Sequence, residues 1–297
     1  MRFLTVALLS LLPLAACAST AGTFASPDDA VKALVDSADD RSRAEELLGP
    51  GGFEVLRSGD EVADHDDIEA VRKLIREKVA FENDGDDCRI ALLGHDGWPL
   101  PLPIVRDGGR WRFDVDAGKD EILNRRIGRN ELSTIETLRA VVDAQFEYAS
   151  EGRDGKQACF AGKWASSDGK HDGLYWEASG EEPESPLGPL VVAAAAKGYE
   201  RPREGEVEPY HGYYYRLLTE QGANAPGGAR NYVVDGQLRT GFAVIAWPAT
   251  WGNSGIMTFL VSQRGIIYQR DLGENTTKLA PQITAFDPEA TWTPVAN

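Results

Sequence analysis

One change of hydrophobic period constrains this chain more than any other feature. Between Asn130 and Ser150 (NELSTIETLRAVVDAQFEYAS) apolar residues recur every three or four positions, the period of a helix buried on one face. From Tyr210 onward they recur every second position, the period of a half-buried strand. Leu132, Ile135, Leu138 and Val142 form the helical stripe. Phe146 and Ala149 continue it, and Val141 and Tyr148 widen it. Asn130 is the expected N-cap and Gly152 the expected stop. Such a helix, about 30 Å long, must bury its apolar face on something, and the strand-rich C-terminal part is the expected partner. The class this predicts is α+β.

The residues before this helix predict a separate small domain. Ser26-Pro27-Asp28-Asp29 is a helix start, with Ser26 capping and Pro27 in the first position. A second helix is expected over Arg41–Leu48, ended by Gly49-Pro50-Gly51-Gly52. A third is expected from Asp66 to Phe81. Strand-like runs follow at Cys88–Leu93, at Leu100–Arg106 (an edge, because of Pro101 and Pro103) and at Arg110–Val115. Asp107-Gly108-Gly109 between the last two is a hairpin turn. The expected domains are 24–118 and 130–297, joined by a polar link over 119–129. Residues 151–186 predict a long irregular loop with aromatic anchors. Leu187–Gly198 predicts a short helix. The C-terminal meander has five strand candidates, from His211–Thr219 to Ile266–Tyr268.

The formal charge is −16. Nucleic acid is an unsuitable partner for so acidic a chain, as is anionic lipid approached through a basic face. Arg2 is followed by an apolar run, Phe3–Leu14, too short to span a bilayer. The run ends in Leu14-Ala15-Ala16-Cys17, which resembles the bacterial lipobox. Residues 1–16 would then be a signal peptide, Cys17 the lipidated N-terminus and 17–23 a tether. Losing Arg2 takes the charge to 30 minus 47, or −17. Ala18 rather than Asp after Cys17 favours an outer membrane where a cell has two. The expected location is the periplasm or cell surface, with the lipid as membrane anchor. An oxidising compartment permits a Cys88–Cys159 disulfide that would staple the two domains; two free, partly buried thiols are the alternative. Four scattered His and no CxxC give no metal-site spacing, and no cofactor motif is present.

Helices first and then a meander ending in Gly109-Arg110-Trp111-Arg112-Phe113-Asp114 resembles the small NTF2-like domains. In those enzymes a cone between helix and sheet holds an Asp/His pair. His95-Asp96, between Gly94 and Gly97, is better read as a polar hairpin loop. The later residues carry a wider resemblance. The helix NELSTIETLR, the strand GYYY, FAVIAWP, GNSGIMTF and GIIYQRDLG, with GWPLPLPIV and IGRNE earlier, are similar to the bacterial family known as domain of unknown function 2950. That resemblance covers residues 24–296 and implies no catalytic residues. The order of helix, loop and meander also resembles the globular heads of type IV pilins and pseudopilins. The residues before Asn130 are too polar to supply the apolar half-helix through which those subunits polymerise.

Candidate chemistry is thin. Gly252-Asn253-Ser254-Gly255 lacks the G-x-S-x-G pattern and its strand-to-helix context, and it reads as a tight turn bonded to backbone. Tyr213 and Tyr215 share one strand face. With Trp247, Trp251 and Ser254 they define a candidate sugar- or peptide-binding surface, the alternative being cross-strand packing. Asp84, Asp86 and Asp87 lack the distal Glu of a calcium loop. No catalytic set converges. The function expected is a non-enzymatic envelope interaction or assembly protein with an envelope protein as partner. The alternative is a periplasmic small-ligand binder or hydrolase with a pocket in the N-terminal domain or the 151–186 loop.

Overall fold

Ser26 opens the first helix as its sequence requires. Its hydroxyl accepts the Asp29 N–H at 3.1 Å ahead of helix α1, Pro27–Ser37. The structure is a computed structural model that describes residues 21–37, 40–151, 157–180, 182–201 and 208–296; the lipobox and Cys17 lie outside them. Helix α2 is Arg41–Leu48, capped by the Asp40 carboxylate. Helix α3, Gly52–Leu56, is a single short turn and a half. Helix α4, Glu61–Glu77, is capped by Asp60, which accepts the Ala63 N–H at 3.0 Å.

The third helix therefore starts and ends earlier than the expected Asp66–Phe81. The chain turns at Lys78, and Val79–Asn83 becomes strand β1. Val79 and Phe81 are β-branched and aromatic, and they find cross-strand partners in Leu93 and Ala91. Strands β2 (Cys88–Leu93), β3 (Trp98–Pro99), β4 (Ile104–Asp107) and β5 (Arg110–Phe113) complete an antiparallel sheet ordered β1-β2-β4-β5, with β3 on β2. The expected strand Leu100–Arg106 is interrupted. Pro101 and Pro103 cannot donate to a ladder, so the strand begins only at Ile104. Asp107 pairs with Arg110 across Gly108 and Gly109, whose φ of 57° and 83° are those of the expected hairpin turn. Ala30, Val31 and Leu34 of α1, with Leu47 and Leu48 of α2, pack on Ala91, Leu93, Ile104 and Phe113 of the sheet.

Helix α5 runs from Val115 to Ser150 without a break. Its cap is Asp114, which accepts the Ala117 N–H at 3.2 Å; Asn130 lies mid-helix, buried. The expected polar link over 119–129 is thus helical, and it carries Lys119, Asp120, Glu121, Arg125, Arg126 and Arg129 rather than an apolar face. The first half of α5 reads as polar because its buried positions, Gly118, Arg126 and Asn130, are not apolar residues. The second half is also turned from the expected stripe. Thr134, Leu138, Val141, Gln145 and Tyr148 are buried, whereas Leu132 and Phe146 are 67% and 48% exposed. Polar groups can occupy the inward face because each has a partner. Gln145 donates to the Ala161 carbonyl and accepts its N–H, both at 2.9 Å.

After the irregular stretch comes helix α6, Gly188–Ala196. Strand β6 (Tyr213–Leu218) is followed by two inserted ribbons: β7 (Glu220–Gln221) with β8 (Arg230–Asn231), and β9 (Val233–Val234) with β10 (Gln237–Leu238). Strands β11 (Ala243–Pro248), β12 (Met257–Ser262), β13 (Ile267–Asp271) and β14 (Thr293–Pro294) finish an antiparallel sheet ordered β14-β13-β12-β11-β6. This is the expected meander, enlarged by one edge strand, with Val233–Val234 diverted into a ribbon. The second half of α5 contributes Ile135, Leu138, Val141 and Val142 to a core with Tyr213, Phe242, Ile245, Phe259 and Leu260. The fold is α+β, and α5 is common to both of its cores. No helix among the described residues is long and apolar enough to cross a membrane.

Two glycines of α5 test its continuity in opposite directions. A Cβ on Gly118 would lie 2.3 Å from the Pro101 carbonyl oxygen, whereas a Cβ on Gly128 would meet nothing within 4 Å. Gly118→Ala is expected to destabilise the mature chain by about 1–3 kcal/mol through overpacking. Gly128→Ala is expected to stabilise it by about 0.5–1 kcal/mol by raising helix propensity. Urea denaturation followed by circular dichroism measures both. A Gly128→Ala protein no more stable than the parent contradicts a helix through 119–129.

Candidate functional site

A group of buried polar side chains lies where the two halves meet along α5. Arg126 is its centre, 5% exposed. Its guanidinium donates to the Val55 carbonyl at 2.8 Å, to the Arg57 carbonyl at 3.0 Å and to the Asn253 side-chain oxygen. One side chain thus holds the end of α3 and the β11–β12 loop against the helix. Asn253 also donates its amide to the Arg57 and Ser58 carbonyls at 3.4 and 3.3 Å. One turn along, Asn130 donates to the Ser254 carbonyl at 2.9 Å. Glu131 then accepts the Ile256 and Met257 N–H groups, both at 2.9 Å. Arg129 forms a two-pronged pair with Asp67 of α4 at 2.8 and 2.7 Å.

The start of α4 supplies the second layer. Asp64, 3% exposed, accepts the Ser58 N–H at 2.9 Å. Asp60 caps α4 with one carboxylate oxygen. With the other it accepts the Tyr199 hydroxyl at 2.9 Å and the Gly212 N–H at 3.0 Å. Gly212 has φ 72°, and a Cβ there would lie 2.7 Å from the Asn130 amide nitrogen, so only glycine permits this approach. Beside it Tyr199, Tyr210 and His211 meet at steep angles, with His211 4.3 Å from Tyr210 and 5.5 Å from Tyr199 between ring centroids.

The electrostatics follow burial. Burial pushes Arg126 down from its ordinary value, against the attraction of Asp64 and Asp67. Burial pushes Asp67 up, although Arg129 opposes it. Tyr199 is raised by burial and then by the Asp60 charge beside it, and Tyr210 by burial and Asp60. His211 is lowered by burial and by Lys197, against Asp60. Phenols raised this way stay protonated at neutral pH. They can donate a hydrogen bond but cannot serve as bases. The arrangement is suited to locking two halves together.

The sequence-derived candidates fall elsewhere. Tyr213, Trp247 and Ser254 are 0%, 8% and 0% exposed, so at these positions the aromatic group follows the packing alternative and not the candidate binding surface. Tyr213 and Tyr215 do share a face, the one under α5. Tyr213 donates to the Met257 carbonyl at 3.0 Å and Tyr215 to the Thr134 hydroxyl at 3.2 Å. Tyr214 and Trp247 meet on the other face at 5.8 Å between ring centroids. Trp251 is half-buried and bonded through its indole N–H to Asp271 at 2.8 Å. Ser254 accepts the Thr250 N–H at 3.0 Å and donates to its carbonyl at 3.2 Å, as a turn and not as a nucleophile. Cys88, in β2, and Cys159, against the C-terminal core, are free thiols. His95 and Asp96 are exposed in a turn. Among the described residues no group of three or more His, Cys, Asp or Glu is placed to hold a metal ion.

Two features bear on the ligand-binding alternative. A cleft of about 160 Å³ opens between Val31, Val35, Ile75 and Val79, with Lys32 and Asp36 at its rim. In the irregular stretch, Lys163 donates to Ser167 at 2.8 Å and to Asp172 at 3.2 Å. Asp172 accepts the Ser167 N–H at 2.8 Å, and these bonds, against burial, hold its carboxyl below the usual range.

A match to a family model extends over residues 21–295, and the family is described as a protein of unknown function, DUF2950. The chain belongs to this family. No curated protein matches it, and no solved structure does, so the likenesses to NTF2-like domains and to pilin heads remain unconfirmed. The family match covers both cores and the whole of α5. The residues of the seam escaped the sequence reading for a physical reason. Arg126 follows Arg125 in a charged run that looks solvated, and Asp60 looks like an ordinary cap. Nothing in periodicity marks a charge that is buried because carbonyls from distant segments receive it.

Arg126→Ala is expected to cost about 3–5 kcal/mol by leaving buried partners unpaired. Arg126→Lys should recover less than half of that, since an ammonium cannot span the same three acceptors. Equilibrium denaturation read separately by tryptophan fluorescence and by far-ultraviolet dichroism should show both variants still unfolding in one transition. His211 carries a pH signature. Its folded pKa is depressed, so between that value and the unfolded value of about 6.5 the unfolded chain binds more protons. Its contribution is full above pH 6.5 and is lost as pH falls through that window. His211→Asn keeps a residue that tolerates the φ of 50° found there. Its melting temperature should fall less than the parent's between pH 7.5 and pH 5.5.

Proposed function

We propose that this member of the family is a lipid-anchored cell-envelope protein that acts by holding a partner protein rather than by catalysis. The observation that carries the reading is the Leu14-Ala15-Ala16-Cys17 box behind the Phe3–Leu14 apolar run. The geometry supports the second half of it. The buried carboxylates, arginine and tyrosines of the seam are engaged with backbone and with each other, which suits a stiff body that presents a surface. The partner is an envelope protein, and the membrane is reached through the lipid on Cys17.

The second reading, a small-ligand binder or hydrolase, has the Val31–Val79 cleft and the Lys163–Ser167–Asp172 group in its favour. The cleft is small against the roughly 300–1,000 Å³ of ordinary ligand sites. Lys163 donates to the Asp172 carboxylate as well as to the Ser167 hydroxyl, the arrangement of an ion pair and not of a base set to receive the Ser167 proton. The Ser167 N–H that could steady an oxyanion already faces Asp172.

The anchor is tested by Cys17→Ala. Fractionation should move the protein from the membrane pellet into the soluble envelope fraction, and labelled fatty acid should be incorporated by the parent alone. Incorporation by both proteins, or by neither, would refute lipidation at Cys17. Crosslinking in intact cells, followed by purification of the adduct, tests the partner. Turnover of ester or amide probes by the purified protein, abolished in Ser167→Ala, would favour the second reading instead.

A further inference from the structure

The first described residues are strapped to the body of the N-terminal half. The Gly22 N–H donates to the Glu46 and Leu47 carbonyls at the end of α2, at 2.7 and 3.2 Å. Phe24 pairs with Trp111 of β5 through two backbone bonds of 2.7 and 2.9 Å. The exposed Arg110 guanidinium closes over the strap, donating to the Thr23 hydroxyl at 2.8 Å and to its carbonyl at 2.7 Å. A Cβ on Gly22 would meet the Glu46 carbonyl oxygen at 3.2 Å, so the strap lies close against α2.

Covalent length then limits where this edge can be. Ala21 lies four residues beyond Cys17, and four residues reach about 14 Å at full extension. Resting on the lipid anchor proposed above, we propose that the edge formed by Thr23, Phe24, Arg110 and the last turn of α2 faces the headgroup layer of the membrane holding that lipid. The occupant is that layer and not a protein, because a chain this short leaves little more than a headgroup's depth for anything between. On this placement the body of the molecule stands off the bilayer, and Glu147, 32 residues beyond Val115 along α5, lies about 48 Å along the helix axis from the end that follows β5.

Charge does not set this orientation. Arg110 is occupied by the strap, and Arg112 lies 3.8 Å from Asp107. Arg89 and Arg106 stack on Trp111 at 5.1 and 5.9 Å, but Asp84, Asp86 and Asp87 occupy the adjoining loop. Four arginines against four aspartates leave no basic face, so the placement is a property of the tether. It should persist in neutral phosphatidylcholine vesicles and change little when phosphatidylglycerol is added.

The test uses the full acylated chain in a Cys88→Ser, Cys159→Ser background. A donor fluorophore is attached at Glu46→Cys, exposed on α2, or at Glu147→Cys, exposed near the far end of α5, and an acceptor is placed on the lipid headgroups. Each protein is made with the native tether and with about twenty Gly/Ser residues, a flexible coil, inserted after Ser19, and vesicle flotation is run beside each transfer measurement. Strong transfer from Glu46, several-fold weaker transfer from Glu147 and loss of the Glu46 signal on insertion support the proposal. Equal transfer from both sites, or a Glu46 signal unchanged by insertion, overturns the orientation while flotation leaves the anchor standing. Failure to float removes the anchor and the orientation with it.

Discussion

A single desolvated charge organises the middle of this protein. Arg126 brings a guanidinium into the seam, where water no longer satisfies it, and burial of such a group is tolerable only with its donors matched. The matching comes from places far apart in sequence: Val55 and Arg57 ahead of α4, and Asn253 in the β11–β12 loop. Each of those segments is fixed by something else in turn. Asp64 holds Ser58, Asp60 holds Gly212, and Asn130 holds Ser254. Loops from both halves thus reach the helix through polar bonds of fixed direction, which specify one arrangement where apolar contact alone would allow several.

The helix that carries Arg126 changes character along its length. Toward Val115 it presents glycine, arginine and asparagine to its surroundings. Toward Ser150 it presents Leu138, Val141 and Val142 to the sheet. The first part is held by matched polar groups and close backbone approach, the second by burial of hydrocarbon. Gln145 shows the two modes combined, since its amide completes the backbone bonding of Ala161 inside an otherwise apolar core.

What the sequence made legible follows the same division. The starts of α1 and α2, the Gly108–Gly109 hairpin and the antiparallel meander are readable, because each depends on local backbone chemistry or on a simple period. The expected Asp66–Phe81 helix runs late at both ends: the first turns of α4, Glu61 to Asp67, are mostly charged and show no apolar stripe, and the apolar spacing from Val71 to Val79 runs without a gap into β1. The inward face of α5 was misread at Leu132 and Phe146, since a helix with Thr134, Thr137 and Gln145 inside has no apolar stripe to follow. The aromatic cluster was correctly assigned to shared strand faces, but whether Tyr213 met water or Phe259 depended on what lay above the sheet. The seam could not be read at all, for its residues become partners only after the chain has folded.

The continuity of α5 bears on how such a protein can change by descent. A polar link between two domains is a place where genes recombine, exchanging one module and keeping the other. Here that position is the interior of a helix whose two ends belong to different cores, so a cut there would leave each fragment missing a wall. The ribbons between β6 and β11 lengthen one connection of the meander, and Tyr232 and Leu238 tie them into the C-terminal core. Neither half can be lent out alone. A chain that matches its family's model in one stretch from residue 21 to residue 295 is what such an architecture would leave behind.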